Sequence, residues 1–263
     1  MDIVDSHAHL DMREFDADRD AVVQRTWDGG VKALLCPIEL SEPRSRPLVL
    51  ELCRVHAWIT AAAGVHPHRA EAFLPSHLEA LRELTLAGKI AAIGEIGIDH
   101  HYDFSPAPVQ AEVFRTQLLL AQELNLPVII HSRNAGQEVI AAIEETRFSR
   151  GGILHCFTED RRTAERMIDR GFLVSFSGIL TYRSASALRQ IAASLPLEKL
   201  LVETDSPYLV PQALRNKSKR NEPLFVIETA KVLAEVKKVS LEDVAAVTGN
   251  NFRALILEKS APA

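Results

Sequence analysis

The sequence predicts an α/β fold, a single (β/α)8 (TIM) barrel with an extra C-terminal helix, and three observations carry that expectation. Eight short apolar runs recur along the 263 residues, with helix-patterned segments between them. The strand-then-helix units repeat about every 30 residues, the length of a βαβ crossover. The titratable residues sit at the carboxyl ends of the runs, and only a closed ring brings all of those ends to one place.

Taken in order, the runs are residues 2–6, 31–37, 58–65, 90–96, 127–130, 152–154, 172–176 and 200–203. Most are unbroken stretches of Val, Ile, Leu and Ala, the composition of parallel strands covered on both faces. Residues 108–125 carry apolar side chains at spacings of three and four, with Pro127 opening the next strand. Segments 137–146, 160–170, 185–194 and 223–237 have the same pattern, and 241–257 is expected as a final helix packed outside the barrel. A doubly wound open sheet fits the alternation too, but it leaves several titratable strand ends at opposite edges. No Pro/Gly/Ser-rich linker or charge block interrupts the chain, so one domain is expected over 1–263.

Composition bounds the function. The chain is 47% hydrophobic and 25% charged, which excludes a disordered protein. Thirty Lys and Arg against 35 Asp and Glu give a formal charge of −5. That balance argues against coating duplex DNA by charge alone, so any nucleic-acid contact must be local. Cys36, Cys53 and Cys156 form no C-x-x-C pair, which disfavours a disulfide framework or a thiolate zinc site. The N-terminus has no basic segment followed by an apolar run, and no stretch approaches the roughly 20 apolar residues of a membrane helix. A cytoplasmic protein without a membrane partner is expected, and Asn216-Lys217-Ser218 is then a chance match to a glycosylation sequon.

His7 and His9 are two apart on an extended segment, so both imidazoles project to one side, into the barrel mouth. Glu95, His131, His155 and Asp205 join them from the matching ends of separate strands. Polar groups gathered at that depth are costly unless something coordinates them. Imidazole and carboxylate without thiolate suit Zn, Mn, Co or Ni, and Mg is also compatible. Six protein ligands exceed what one open catalytic ion needs, so two divalent ions sharing a bridging carboxylate are expected. Glu95, midway round the ring, is the candidate bridge, with His7 and His9 on one ion and His131 and His155 on the other. Asp205 then ligates the first ion and accepts a proton from the attacking water, whose pKa such ions bring towards neutrality.

These residues resemble the TatD family of metal-dependent hydrolases, within the amidohydrolase-type barrels. The motifs span nearly the whole chain: DSHAHLD at 5–11, GVHPH at 64–68, GEIGID at 94–99, HSR at 131–133, HCF at 155–157, ETDSPYL at 203–209, RNEP at 220–223 and GNNFRAL at 249–255. The resemblance implies deoxyribonuclease or broader phosphodiesterase activity, often 3′ to 5′ on single strands, and metal ligands at the six positions named. Three segments depart from many relatives: Ile98 with His100-His101 in place of a leucine and an aromatic pair, Thr158-Glu159-Asp160 after HCF, and a slightly longer basic loop before Asn221. All three lie where substrate is selected.

The loop 215–220 holds Arg215, Lys217, Lys219 and Arg220, four cations in six residues. Loops after the last two strands of such barrels commonly bind phosphate, so these four are candidate phosphate ligands, as is Arg133. A solvated surface run or a salt bridge is the plainer alternative for each. His66 is expected as a phosphate or orienting donor, and Glu203, sharing parity with Asp205, as an inward carboxylate that orients a ligating histidine. Asp99 and His100 are read as rim residues. No G-x-S-x-G elbow or P-loop is present. The leading expectation is therefore a two-metal 3′–5′ exodeoxyribonuclease acting on single-stranded DNA, 3′ ends or a small phosphodiester, with no obligate protein partner. The alternative is a dinuclear amidohydrolase-type hydrolase of a small amide or ester. Many such enzymes bridge with a carbamylated lysine at the end of the fourth strand, where this chain offers Glu95. A non-catalytic binding protein on the same fold would have eroded ligands, and all six positions are filled.

Overall fold

The computed structural model describes residues 2–257. Residue 1 and residues 258–263, which the expected 1–263 domain also spans, lie outside the described residues. The eight runs form β1 (Ile3–Asp5), β2 (Val31–Glu39), β3 (Ile59–Gly64), β4 (Ala92–Asp99), β5 (Val128–Arg133), β6 (Gly152–Leu154), β7 (Phe172–Phe176) and β8 (Leu200–Val202). All neighbours pair in parallel, in chain order. The ring closes just beyond the ends of β8 and β1. Ser6 N donates to Val202 O (3.1 Å), Asp205 N to His7 O (2.9 Å) and His9 N to Ser206 O (2.8 Å). Eight parallel strands thus form the expected (β/α)8 barrel.

The helices are α1 (Arg19–Asp28), α2 (Ser45–Val55), α3 (Pro75–Leu86), α4 (Ala107–Glu123), α5 (Gly136–Glu145), α6 (Arg161–Ile168), α7 (Ser186–Ser194), α8 (Val226–Lys237) and α9 (Leu241–Phe252). Their starts follow from local chemistry. Asp160 accepts from Thr163 N (2.7 Å) to open α6, and Ser240 with Asp243 forms a reciprocal capping box for α9. Pro75 opens α3, where its missing N–H has no intrahelical partner to lose.

Side chains alternate across each strand, and the two sets form separate cores. Ile3, Leu34, Ile93, Val128, Phe172 and Leu200 pack outward among helix residues such as Val22, Leu81, Phe114, Val139 and Leu233. Val4, Leu35, Ala62, Ala92, Ile129, Ile153, Leu173 and Leu201 form the second core, inside the ring. Phe252, Leu255 and Ile256 belong to that inner core too. The last helix, expected to pack outside, therefore ends in a π-helical turn, Arg253–Leu257, that covers the amino-terminal mouth of the barrel. An apolar floor open to water at that end needs a cover, and the chain supplies it.

Two strands extend three residues beyond the expected limits: β4 runs to Asp99 rather than stopping at Ile96, and β5 to Arg133 rather than Ile130. Among the described residues, no helix is long and apolar enough to cross a membrane. Phe252 is fully buried, so Phe252→Ala should cost about 3 kcal/mol. For a chain of this size that lowers the melting temperature by roughly 6–12 °C. Calorimetry checks it, and an unchanged transition would mean that the floor is sealed without this helix.

Candidate metal centre

Towards the carboxyl ends of the strands, the inner layer turns from apolar to polar. Above Val4, Leu173 and Leu201 come Ser6, Ser175 and Glu203, each fully buried. The Ser6 and Ser175 hydroxyls meet at 2.8 Å. Next come the histidines and Glu95.

Glu95 is set by the two glycines of its motif. Gly94 and Gly97 have φ of +157° and +150°. A Cβ on Gly97 would lie 1.9 Å from the His131 carbonyl oxygen, and one on Gly94 2.6 Å from Ile129 Cβ. Only glycine allows β4 to approach β5 so closely, and that approach holds Glu95 and His131 side by side.

The Glu95 carboxylate faces two groups of imidazoles. Oε2 lies 3.2 Å from His7 Nε2 and 3.7 Å from His9 Nε2. Oε1 lies 3.1 Å from His66 Nε2, 3.0 Å from His131 Nδ1 and 3.0 Å from His155 Nε2. His7 Nε2 and His9 Nε2 are 3.1 Å apart, and His9 Nε2 is 3.3 Å from Asp205 Oδ1. The six expected ligands thus come together, and His66, expected as a phosphate or orienting donor, lies among them against Glu95.

The donor set fits a divalent metal. Ligand atoms about 2.1 Å from a shared ion lie roughly 3.0–3.4 Å from one another, the spacing seen here. Among the described residues, four triads have ligand atoms within 4.8 Å of one another: His7–His9–Glu95, His7–His155–Asp205, His66–Glu95–His131 and His68–Asp99–His131.

Charge in the site is balanced through the histidines. Burial pushes Glu95 up, but His155, His66 and His7 outweigh it and hold the carboxyl well below its usual range. His9 is disfavoured as a cation by burial, yet its Asp205 hydrogen bond and the Glu95 charge lift it to about 9. His155 is likewise raised despite burial, because it lies between Glu95 and Glu203. Burial prevails at His66, which falls to about 4, and at His7, which is lowered.

Glu203 accepts from His155 Nδ1 (2.9 Å) and from Cys156 N (2.7 Å), which orients the imidazole with Nε2 towards Glu95. Asp5 does the same for the strand junction, accepting from Thr204 N (2.9 Å), Thr204 Oγ1 (2.6 Å) and His7 N (3.3 Å). Burial pushes the Cys156 thiol up, which leaves it a poor nucleophile.

Asp99 lies deeper than its rim reading. It is 1% exposed and bonds His68 Nε2 (2.8 Å) and His131 Nε2 (2.9 Å) through Oδ2. The parity of 95, 97 and 99 signals this placement, because β4 continues past Ile96 and carries Asp99 on the same side as Glu95. His100 pairs with Glu138 on the outer surface (2.8 Å). Arg220 does not fit the phosphate role. It bonds Asp18, Glu222 and the Glu14 carbonyl and covers the Phe15 ring at 4.7 Å. The loop folds it back against α1. Lys217 and Lys219 are exposed, and Arg215 lies 4.5 Å over the Tyr182 ring. Arg133 is half-buried, 5.1 Å over Tyr102.

A parallel barrel with histidines and carboxylates converging at its carboxyl mouth defines a metal-dependent hydrolase. Its relatives agree. The chain belongs to the TatD-related DNase family, whose description "TatD related DNase" matches residues 4–257. It is 36% identical over 254 residues to the uncharacterized metal-dependent hydrolase YabD of Bacillus subtilis, covering 96% of this chain and 98% of YabD. It is 34% identical over 255 residues to the 3′-5′ ssDNA/RNA exonuclease TatD of Salmonella typhimurium, covering 95% of this chain and 97% of that protein. The crystal structure of YjjV, a TatD homologue from Escherichia coli K12, superposes with a TM-score of 0.89 at 30% identity, over 99% of this chain and 98% of YjjV. The protein is a metal-dependent hydrolase of ester bonds.

Arg220→Ala should cost about 1–2 kcal/mol of stability. The sign of its pH dependence follows from Asp18 and Glu222. The Arg220 and Arg25 hydrogen bonds hold Asp18 low, and at Glu222 the bonds from Arg25 and Arg220 outweigh burial to do the same. Their contribution is full above the unfolded carboxylate range of about 4 and is lost as pH falls through the depressed folded values. Wild type and variant should therefore converge in melting temperature on acidification below about pH 4. A gap that stays constant to pH 2 would show that the ion pairs do not stabilise the fold.

Proposed function

We propose that the protein is a two-metal phosphodiesterase that removes nucleotides from the 3′ ends of single-stranded DNA. The observation that carries this reading is the division of Glu95, with Oε2 towards His7 and His9 and Oε1 towards His66, His131 and His155. A carboxylate so placed suits a bridge between two ions of the Zn, Mn, Co, Ni or Mg class. Divalent ions held there supply Lewis acidity and make water acidic enough to attack at neutral pH. His7, His9 and Asp205 would hold one ion with Glu95, and His131 and His155, with His66, the other. Asp205 is half-buried and ionised: burial raises it, but His9, His155 and His7 outweigh that and hold it low. Its carboxylate is the base that takes the water's proton. Arg215, Lys217 and Lys219, unpaired with any carboxylate among the described residues, offer local positive charge for backbone phosphates on a chain of net charge −5. The relative named as a 3′-5′ ssDNA/RNA exonuclease supports the substrate class. A cytoplasmic setting belongs to the same reading and accords with three free cysteines.

The deciding assay compares single-stranded DNA, RNA and a small carboxylic ester with metal-loaded protein and with chelated protein. Nucleotide release from DNA that chelation abolishes and added metal restores is expected. Turnover of the ester alone would overturn the reading. Asp205→Asn should retain bound metal, measured by elemental analysis, yet lose at least about 100-fold in turnover; near wild-type rates would remove Asp205 as the base. Neutralising Arg215, Lys217 and Lys219 together should flatten the salt dependence of oligonucleotide turnover. An equal loss on a small phosphodiester would place them elsewhere in the reaction.

A further inference from the structure

The loop after β4 carries two exposed rings that the chemistry above leaves unused. Tyr102 is 43% exposed and Phe104 61%. The rings stack, with centroids 5.3 Å apart and planes inclined by 19°. The stack is braced from the side. His68 meets Phe104 edge-on at 4.9 Å and Tyr102 at 5.5 Å, and the Arg133 guanidinium lies 5.1 Å from the Tyr102 centroid.

That brace leads into the metal centre. His68 Nε2 bonds Asp99 Oδ2 (2.8 Å), Asp99 Oδ2 bonds His131 Nε2 (2.9 Å), and His131 Nδ1 bonds Glu95 Oε1 (3.0 Å). Three hydrogen bonds therefore separate the exposed aromatic pair from the carboxylate at the middle of the site. A ring already fixed by its neighbours loses little rotational freedom when another flat group settles on it.

We propose that Tyr102 and Phe104 form a nucleobase-stacking subsite for the strand being cleaved, with Arg133 placed to meet its backbone. This rests on the phosphodiesterase reading above. Every base has a π face, so such a platform accepts any sequence. Bases inside a duplex already stack on their neighbours, so the platform selects unpaired strand ends. The subsite thus accounts for single-strand preference without base-edge hydrogen bonds.

The test crosses the protein with the substrate. One oligodeoxynucleotide ends in a normal 3′ nucleotide, and a second carries an abasic residue there. Phe104→Ala should raise KM on the normal strand about tenfold, the size of a lost stacking contact, with a smaller change in kcat. Removing the base should cost the wild type a similar factor, and combining both changes should do no more harm than either alone. Phe104→Trp should recover the normal strand. In the Asp205→Asn background, which slows cleavage enough to read binding first, a 3′ 2-aminopurine should be quenched on binding with Phe104 present and not after Phe104→Ala. Should Phe104→Ala lower the melting temperature, Phe104→Leu keeps the bulk and removes the π face.

Losses that add across the cycle, or a Phe104→Ala enzyme that matches wild type on the normal strand, overturn the subsite while leaving the phosphodiesterase reading intact. A wild type that cleaves neither strand when loaded with metal overturns that reading, and the subsite with it.

Discussion

A buried carboxylate at the centre of the barrel mouth is the constraint on which the rest of the site depends. Glu95 is 5% exposed and has five imidazole nitrogens within 3.7 Å. An isolated charge at that depth would cost several kcal/mol, so everything around it is arranged to compensate. The histidines provide that compensation by accepting protons or by sharing a cation. Their own orientation is fixed one layer further out, by Glu203 on His155 and by Asp99 on His131. This explains why the polar layer is deep and tightly bonded instead of open to water.

The barrel makes such a layer possible by separating two environments along one axis. Its floor is Val, Leu, Ile and Ala, closed below by the last helix, and its upper wall changes to Ser, Glu and His. Closure between β8 and β1 is as important as the strands themselves. The hydrogen bonds of Ser6, Asp205 and His9 across that seam bring Asp205, late in the sequence, to His9 near its start. An open sheet with the same strands would leave the proposed base and its partner at opposite edges.

Cations near the mouth divide by use. Arg220 is held by Asp18 and Glu222 and braces the loop after β8 against α1, whereas Lys217 and Lys219 remain exposed. A run of basic residues is thus split between architecture and solvent, and the division depends on which acids lie opposite once the chain is folded.

The sequence alone determined the fold and which polar residues gather at the barrel mouth. Parallel strands buried on both faces read as unbroken apolar runs, and the polar residues that end them stand out against that background. Eight strands and the six candidate ligands at their ends are legible for this reason. What only tertiary structure decided lies in distances between segments remote in the chain. His66 enters the centre because β3 pairs with β4, where Gly64 packs against Glu95 and Ile96, and Asp99 because Gly97 lets β4 approach β5 and β4 continues to Asp99. Arg220 leaves the phosphate set because Asp18 and Glu222 face it, and the last helix seals the floor because the inner core lacks a cover. Local pattern records which residues prefer burial. Which partners they meet there is set by how eight strands, each separated from the next by a helix, close into one ring.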